Sequence, residues 1–188
     1  MKKIFLFIAA VLVVASCKQK ELNLYPSFEE SASMTIDETG SFEEEGAISA
    51  SDIHKAIDEL DLDEDGSITD VSVEGIWIVI EQLQGNTAQS FNLDIVIDDW
   101  MGGEKYILDD FEVNIPPQKS TINFPKKLKK EGVLELNRQL IDIILMGGSR
   151  SISFTAEGDA IPEGSMIKVR LELYVKGSVV FTQIVDLF

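Results

Sequence analysis

Reactive side chains are scarce in this chain. Its 188 residues include one cysteine, Cys17, and one histidine, His54. A single thiol excludes an intramolecular disulfide. It also excludes, with one imidazole, any metal site or catalytic triad assembled from several Cys or His. Basic charge is short as well, with 16 Lys and Arg against 33 Asp and Glu, a formal net of −17. A surface this acidic repels phosphate backbones, so nucleic acid is not an expected partner, whereas solubility and divalent cations are favoured. Glycine-rich phosphate loops are missing, because Met101-Gly102-Gly103 and Met146-Gly147-Gly148 lack the spacing. The apolar run from Ile4 to Val14 falls short of the roughly 20 residues that a membrane-spanning helix needs.

What that run does have is the right company. Lys2-Lys3 precede it and Val14-Ala15-Ser16-Cys17 close it, the order of a charged region, an apolar region and a small-residue cleavage site. The segment resembles the lipobox signal of bacterial lipoprotein precursors. That resemblance implies that residues 1–16 are an export signal cut before Cys17. It also implies that the Cys17 thiol carries a diacylglyceryl group with palmitate-type chains, so that lipid anchors the mature protein to the membrane. Lys18 stands where some Gram-negative families place an aspartate to retain a lipoprotein in the inner membrane, which implies the outer membrane. The periplasmic and surface faces both stay open; Lys20-Glu21 and the following acids resemble surface-export signals in part. Losing Lys2 and Lys3 with the signal leaves 33 acids against 14 bases, a net of −19.

Residues 17–48 read as an acidic flexible tether. They are rich in Ser, Glu, Asp and Gly, and Glu29-Glu30, Asp37-Glu38 and Glu43-Glu44-Glu45 keep them solvated. Met34 to Ile36 is the one stretch in it that suits a short edge strand. A folded domain is expected over 49–188. Ser49-Ala50-Ser51-Asp52 has the form of a helix start, followed by Ile53, Ile57 and Leu60 at helical spacing. Leu134 to Met146 predicts a second helix, stopped by Gly147-Gly148, with an Arg138–Asp142 pair on its outer side. Strands are expected at 71–80, 91–97, 106–115, 121–124, 151–156, 166–175 and 178–187. Ile76 to Ile80 is apolar on both faces, as in a central strand, and Lys176-Gly177 reads as a two-residue hairpin turn. The fold class is therefore mainly β, an antiparallel β-sandwich of about seven strands with two helical segments. Over about 70–188 its strand count and spacing resemble an immunoglobulin-type sandwich without that family's cysteine pair.

The sharpest local motif is Asp61-Leu62-Asp63-Glu64-Asp65-Gly66-Ser67-Ile68-Thr69, which resembles the first nine positions of an EF-hand calcium loop. The resemblance implies calcium ligands at Asp61, Asp63, Asp65 and the Ser67 carbonyl. The match then fails, because Ser72 stands where a bidentate glutamate belongs and a strand follows, not a helix. An acidic helix-to-strand turn built on Asp65-Gly66 is the alternative. Elsewhere, Asp98-Asp99-Trp100 and Asp109-Asp110 flank Met101-Gly102-Gly103. A hairpin there makes Asp99 and Trp100 a candidate surface for a sugar or a cation. Neighbouring carboxylates on a strand point to opposite faces, so neither pair is a ready acid/base dyad. His54 falls beside the apolar stripe of the first helix, and Lys126-Lys127 with Lys129-Lys130 form a basic cluster on a solvated loop. The residues together describe a non-enzymatic, lipid-anchored binding or assembly module with an envelope protein or glycan as partner. A calcium-dependent binding module and a carboxylate-based envelope hydrolase are the alternatives.

Overall fold

The computed structural model describes residues 18–124 and 126–187; the expected export signal and Cys17 lie outside them. Nine strands and two helices are formed among the described residues. They are β1 (Lys18–Leu24), β2 (Ser27–Thr39), β3 (Ser41–Ile48), α1 (Ala50–Asp58), β4 (Gly66–Gln82), β5 (Ser90–Asp98), β6 (Glu104–Asn114), β7 (Ser120–Asn123), α2 (Lys130–Met146), β8 (Ile152–Ile161) and β9 (Met166–Leu187). One sheet runs β1–β9–β4–β7, with β2 also on β9, and the other runs β3–β8–β5–β6. Every pairing is antiparallel. The two sheets face each other over a core that includes Ile36, Ile78, Leu93, Phe154 and Leu171.

The fold is thus the expected antiparallel sandwich with two helices, but its wiring is not immunoglobulin-like. From β2 onward the first strand pairs with the eighth, the second with the seventh, the third with the sixth and the fourth with the fifth. Among these eight strands, only the β5–β6 hairpin keeps consecutive strands in one sheet. That wrapping is a jelly roll.

The segment expected to be a tether is structured. Phe28, Ala32, Met34 and Ile36 are buried and alternate with exposed Glu29, Ser31, Ser33, Thr35 and Asp37. The period of two is present, but Glu30 and Ala32 occupy inward positions, so apolar content is low. β2 is held instead by a partner: all thirteen of its residues pair with Met166–Ser178 of β9. β3 does the same against Ile152–Asp159 of β8. Long-range pairing overrides weak local preference.

Lys176-Gly177 is not a turn either. β9 runs unbroken from Met166 to Leu187, with Gly177 opposite Phe28 on one side and Val73 on the other. A Cβ at Gly177 would strike the Phe28 ring. The glycine serves close approach, beside the register shift between Val73 and Gly75.

Both helices lie where the sandwich needs closing. Ser49 caps α1 as its sequence predicts, its Oγ accepting from Asp52 N at 3.1 Å. α2 starts four residues earlier than the expected Leu134, taking in Gly132, which lies against the Tyr106 carbonyl where a Cβ would not fit. β7 pairs only with Trp77–Ile80 of β4, so the lower edge of β4 lacks a strand there. α2 covers it: Asn137 Oδ1 accepts from Val73 N at 3.0 Å. Leu136, Leu140 and Ile143 are buried beneath the helix. Each such side chain stabilises the fold by about 1.5–3 kcal/mol.

Candidate functional site

The β5–β6 hairpin expected around Met101-Gly102-Gly103 is present, and Gly102 (φ 107°) and Gly103 (φ 102°) supply its left-handed turn. Asp99 N donates to Gly103 O and Gly102 N to Asp99 O. The Asp99 carboxylate accepts from Met101 N at 2.8 Å, an Asx turn that fixes Trp100 at the corner. α2 then brings a guanidinium to it. Arg138 Nη2 lies 3.5 Å from Asp99 Oδ1, and the Arg138 guanidinium carbon is 5.9 Å from the Trp100 ring centroid. Arg150, just past the helix, stands 5.8 Å from the same ring.

Glu135 is the hub beneath these groups. Arg138 donates to it in a two-pronged pair, Nε to Oε2 at 2.8 Å and Nη2 to Oε1 at 2.5 Å. Gln139 Nε2 donates to the same Oε1 at 2.6 Å and to Asp98 O at 2.6 Å. Burial by itself would raise the Glu135 carboxyl. The hydrogen bonds from Arg138 and Gln139, the guanidinium charge and the Trp100 backbone N–H outweigh that and hold it below its usual range. The guanidinium is correspondingly raised, first by its bond to Glu135. The Arg138–Asp142 pair read from the sequence is thereby replaced: the stronger partners are Glu135, one turn back, and Asp99 from the hairpin.

Around Trp100 the surface is a concavity of about 390 Å³, lined by Trp100, Met101, Arg138, Asp142 and Gly148–Arg150. Met101 at its rim is 85% exposed, and Met146 at the end of α2 is 75% exposed. Arg150 has no ion-pair partner among the described residues. Trp, Arg and Met are the residue types enriched at the centres of protein interfaces, where Lys and Glu are depleted. Of this corner, sequence reasoning had found Trp100 and Asp99 and missed Glu135, Gln139 and Arg150. Arg150 has no local signal, and Glu135 reads as one more surface acid of a charged helix.

The other sequence-predicted groups do not converge. Asp61, Asp63, Asp65 and Ser67 are exposed. Asp61 takes the left-handed φ of 50°, while Gly66 begins β4 beneath the Phe181 ring. Asp63 is committed elsewhere, accepting from Asp65 N at 3.2 Å and Gln183 Nε2 at 2.8 Å. Among the described residues, no three His, Cys, Asp or Glu side chains come together in a metal-binding arrangement. Asp109 pairs with Lys129 at 2.6 Å, and Asp110 N donates to the Asp94 carboxylate. Half-exposed His54 lies 3.3 Å, Nε2 to carbonyl oxygen, from Gly148, which ties α1 to the turn that carries Arg150.

No family model matches the chain, and neither does any curated protein sequence. Among solved structures it is similar to the decameric BFDV capsid protein, at 10% identity, covering 86% of this chain and 99% of that one, with a TM-score of 0.37. A desmodium yellow mottle tymovirus structure gives 7% identity, 89% and 91% coverage and a TM-score of 0.38. Turnip yellow mosaic virus gives 7% identity, 89% and 98% coverage and a TM-score of 0.33. Likenesses this distant carry no argument about what the chain does.

Proposed function

We propose that this protein is a lipid-anchored, non-enzymatic module of the cell envelope, held in the outer membrane through Cys17, that binds or assembles with an envelope protein through the Trp100 corner. The observation that carries the binding half is the convergence of three separate segments on one concavity. The hairpin supplies Trp100 and Met101, α2 supplies Arg138 already oriented by Glu135, and the following turn supplies Arg150. Orienting an arginine before the partner arrives lowers the ordering cost of association. The anchoring half is supported by the lipobox sequence Val14-Ala15-Ser16-Cys17 after Lys2-Lys3 and an apolar run.

Each half has its own test. Cys17→Ser is expected to move the protein from the membrane to the soluble fraction; unchanged membrane association would contradict the anchor. Met101→Glu and Arg150→Glu place acids at exposed rim positions and leave the Glu135 hub intact. Both variants should keep wild-type melting and lose the envelope crosslinks that the wild-type protein makes. Unaltered crosslinks in both would remove the corner from the account.

A further inference from the structure

The chain next to the lipid-bearing residue is strand, not leash. Cys17 is followed at once by Lys18, the first residue of β1, which pairs with β9 from Lys18↔Leu187 to Leu24↔Phe181. β4 accompanies β9 only as far as Gly66↔Gln183. Beyond that point β1 and the end of β9 form a two-stranded ribbon that overhangs the sandwich. Residues directly opposite in a ladder share a face, so Leu22 and Leu24 lie on the face of Gln183 and Phe181, and Ile184 lies on the other with Glu21.

Large apolar side chains stand uncovered along β1, where β4 still flanks β9, and at Ile184 in the overhang itself. Leu22 and Leu24 are 43% and 44% exposed, Tyr25 69% and Ile184 60%. Leu24, Tyr25 and Phe181 line one side of a groove of about 550 Å³, with Leu60 to Asp63 of the acidic turn, Asp61 and Asp63 included, on the other. The β1 segment by itself is less acidic than the molecule. Residues 18–25 carry Lys18, Lys20 and only Glu21, a net of +1 in a chain whose net is −17. Apolar side chains with a tyrosine and lysines beside them make up the composition that settles in the headgroup region of a bilayer.

We infer that β1, with the end of β9 that it pairs, is the membrane seat of the anchored protein, lying in the headgroup–acyl boundary and fixing the sandwich's orientation on the lipid. The inference rests on the lipid anchor at Cys17 proposed above. The reach of the chain selects the bilayer over other occupants. Leu22 is four strand residues from Lys18, roughly 13 Å along β1, and no flexible segment intervenes to carry it away from the lipid.

The test uses the lipidated protein in phosphatidylcholine vesicles. Acylation consumes its only thiol, so an introduced cysteine takes a fluorescent label uniquely. Labels at Leu22→Cys and at Ser149→Cys, in the Trp100 corner, are compared for quenching by lipids spin-labelled near the headgroup. The label at 22 should be quenched about twofold or more relative to the label at 149. A Leu24→Glu substitution should abolish that difference without lowering the melting temperature. Equal quenching at both sites, with the protein still floating with the vesicles, overturns the seat and leaves the anchor standing. Absence of lipid on Cys17 by mass spectrometry overturns both.

Discussion

The acidic turn at 61–67 and the Trp100 corner teach opposite lessons about what a motif is worth. The turn has three aspartates at calcium-loop spacing within five residues, yet all are exposed and Asp63 is committed to Gln183. The corner has no contiguous motif. Its groups come from positions 99 to 101, 135 to 139 and 150, and they meet in one place, joined by hydrogen bonds through Asp99 and Glu135 and by Arg150 over the Trp100 ring. A binding site needs side chains that converge, and convergence is set by packing between elements. Spacing along one loop delivers it only when the loop coils around the ligand.

That contrast can be broken most severely by loosening the helix that delivers Arg138. Leu140 is buried under α2, and Leu140→Ala should cost about 2–5 kcal/mol by denaturant unfolding. A cost below about 1 kcal/mol would mean that α2 does not depend on this packing. Next in size is Glu135→Ala, which strands Arg138 and the Gln139 amide and should cost about 1.5–3 kcal/mol at neutral pH. Because the folded-state carboxyl sits below its unfolded value, that contribution is present above the unfolded pKa and lost as pH falls through the folded one. The acid limb of the stability profile should therefore flatten in the variant. An unchanged limb would contradict the hub.

Near α1 the sign reverses. Glu30 is raised above its usual value, first by burial and then by the charges of Asp52 and Glu59. There the folded state binds the proton more tightly, so stability is greatest below the unfolded pKa and declines as pH rises through the folded one. Glu30→Gln should accordingly stabilise the protein at pH 7 by less than about 1 kcal/mol, read as a small rise in melting temperature. A fall would show that the carboxylate is stabilising. Smallest of all is the expected response to calcium. Millimolar calcium should leave the melting temperature of the mature domain unchanged, and Asp61→Asn/Asp63→Asn should match the wild type. A calcium-dependent rise that this double variant abolishes would restore the turn as a site.

How much was legible in the sequence follows from the same physics. The central strand β4, the capped start of α1 and the glycine stop of α2 were readable because local signals and packing agree there. β2 and β3 were not, because Glu30, Ala32 and Gly46 dilute their inward faces, and β9 and β8 supply the missing preference from more than a hundred residues away. Gly177 was misread because a glycine that admits the Phe28 ring looks, in one dimension, like a glycine that turns. Strand count and spacing gave the sandwich. The jelly-roll wiring is a matter of which strands pair, and periodicity does not encode that. At the corner, Trp100 and Asp99 stand beside a recognisable turn, whereas Glu135 and Arg150 acquire their meaning only after α2 docks.

The central claim is that contact with a partner runs through the Trp100 corner and not through the acidic turn. Photo-crosslinking residues placed at Met101 and at Glu64 in intact cells, each position exposed, put the two regions in direct competition. The account predicts an envelope adduct from position 101 that Arg150→Glu removes, and none from position 64. An adduct from 64 with none from 101 would contradict it.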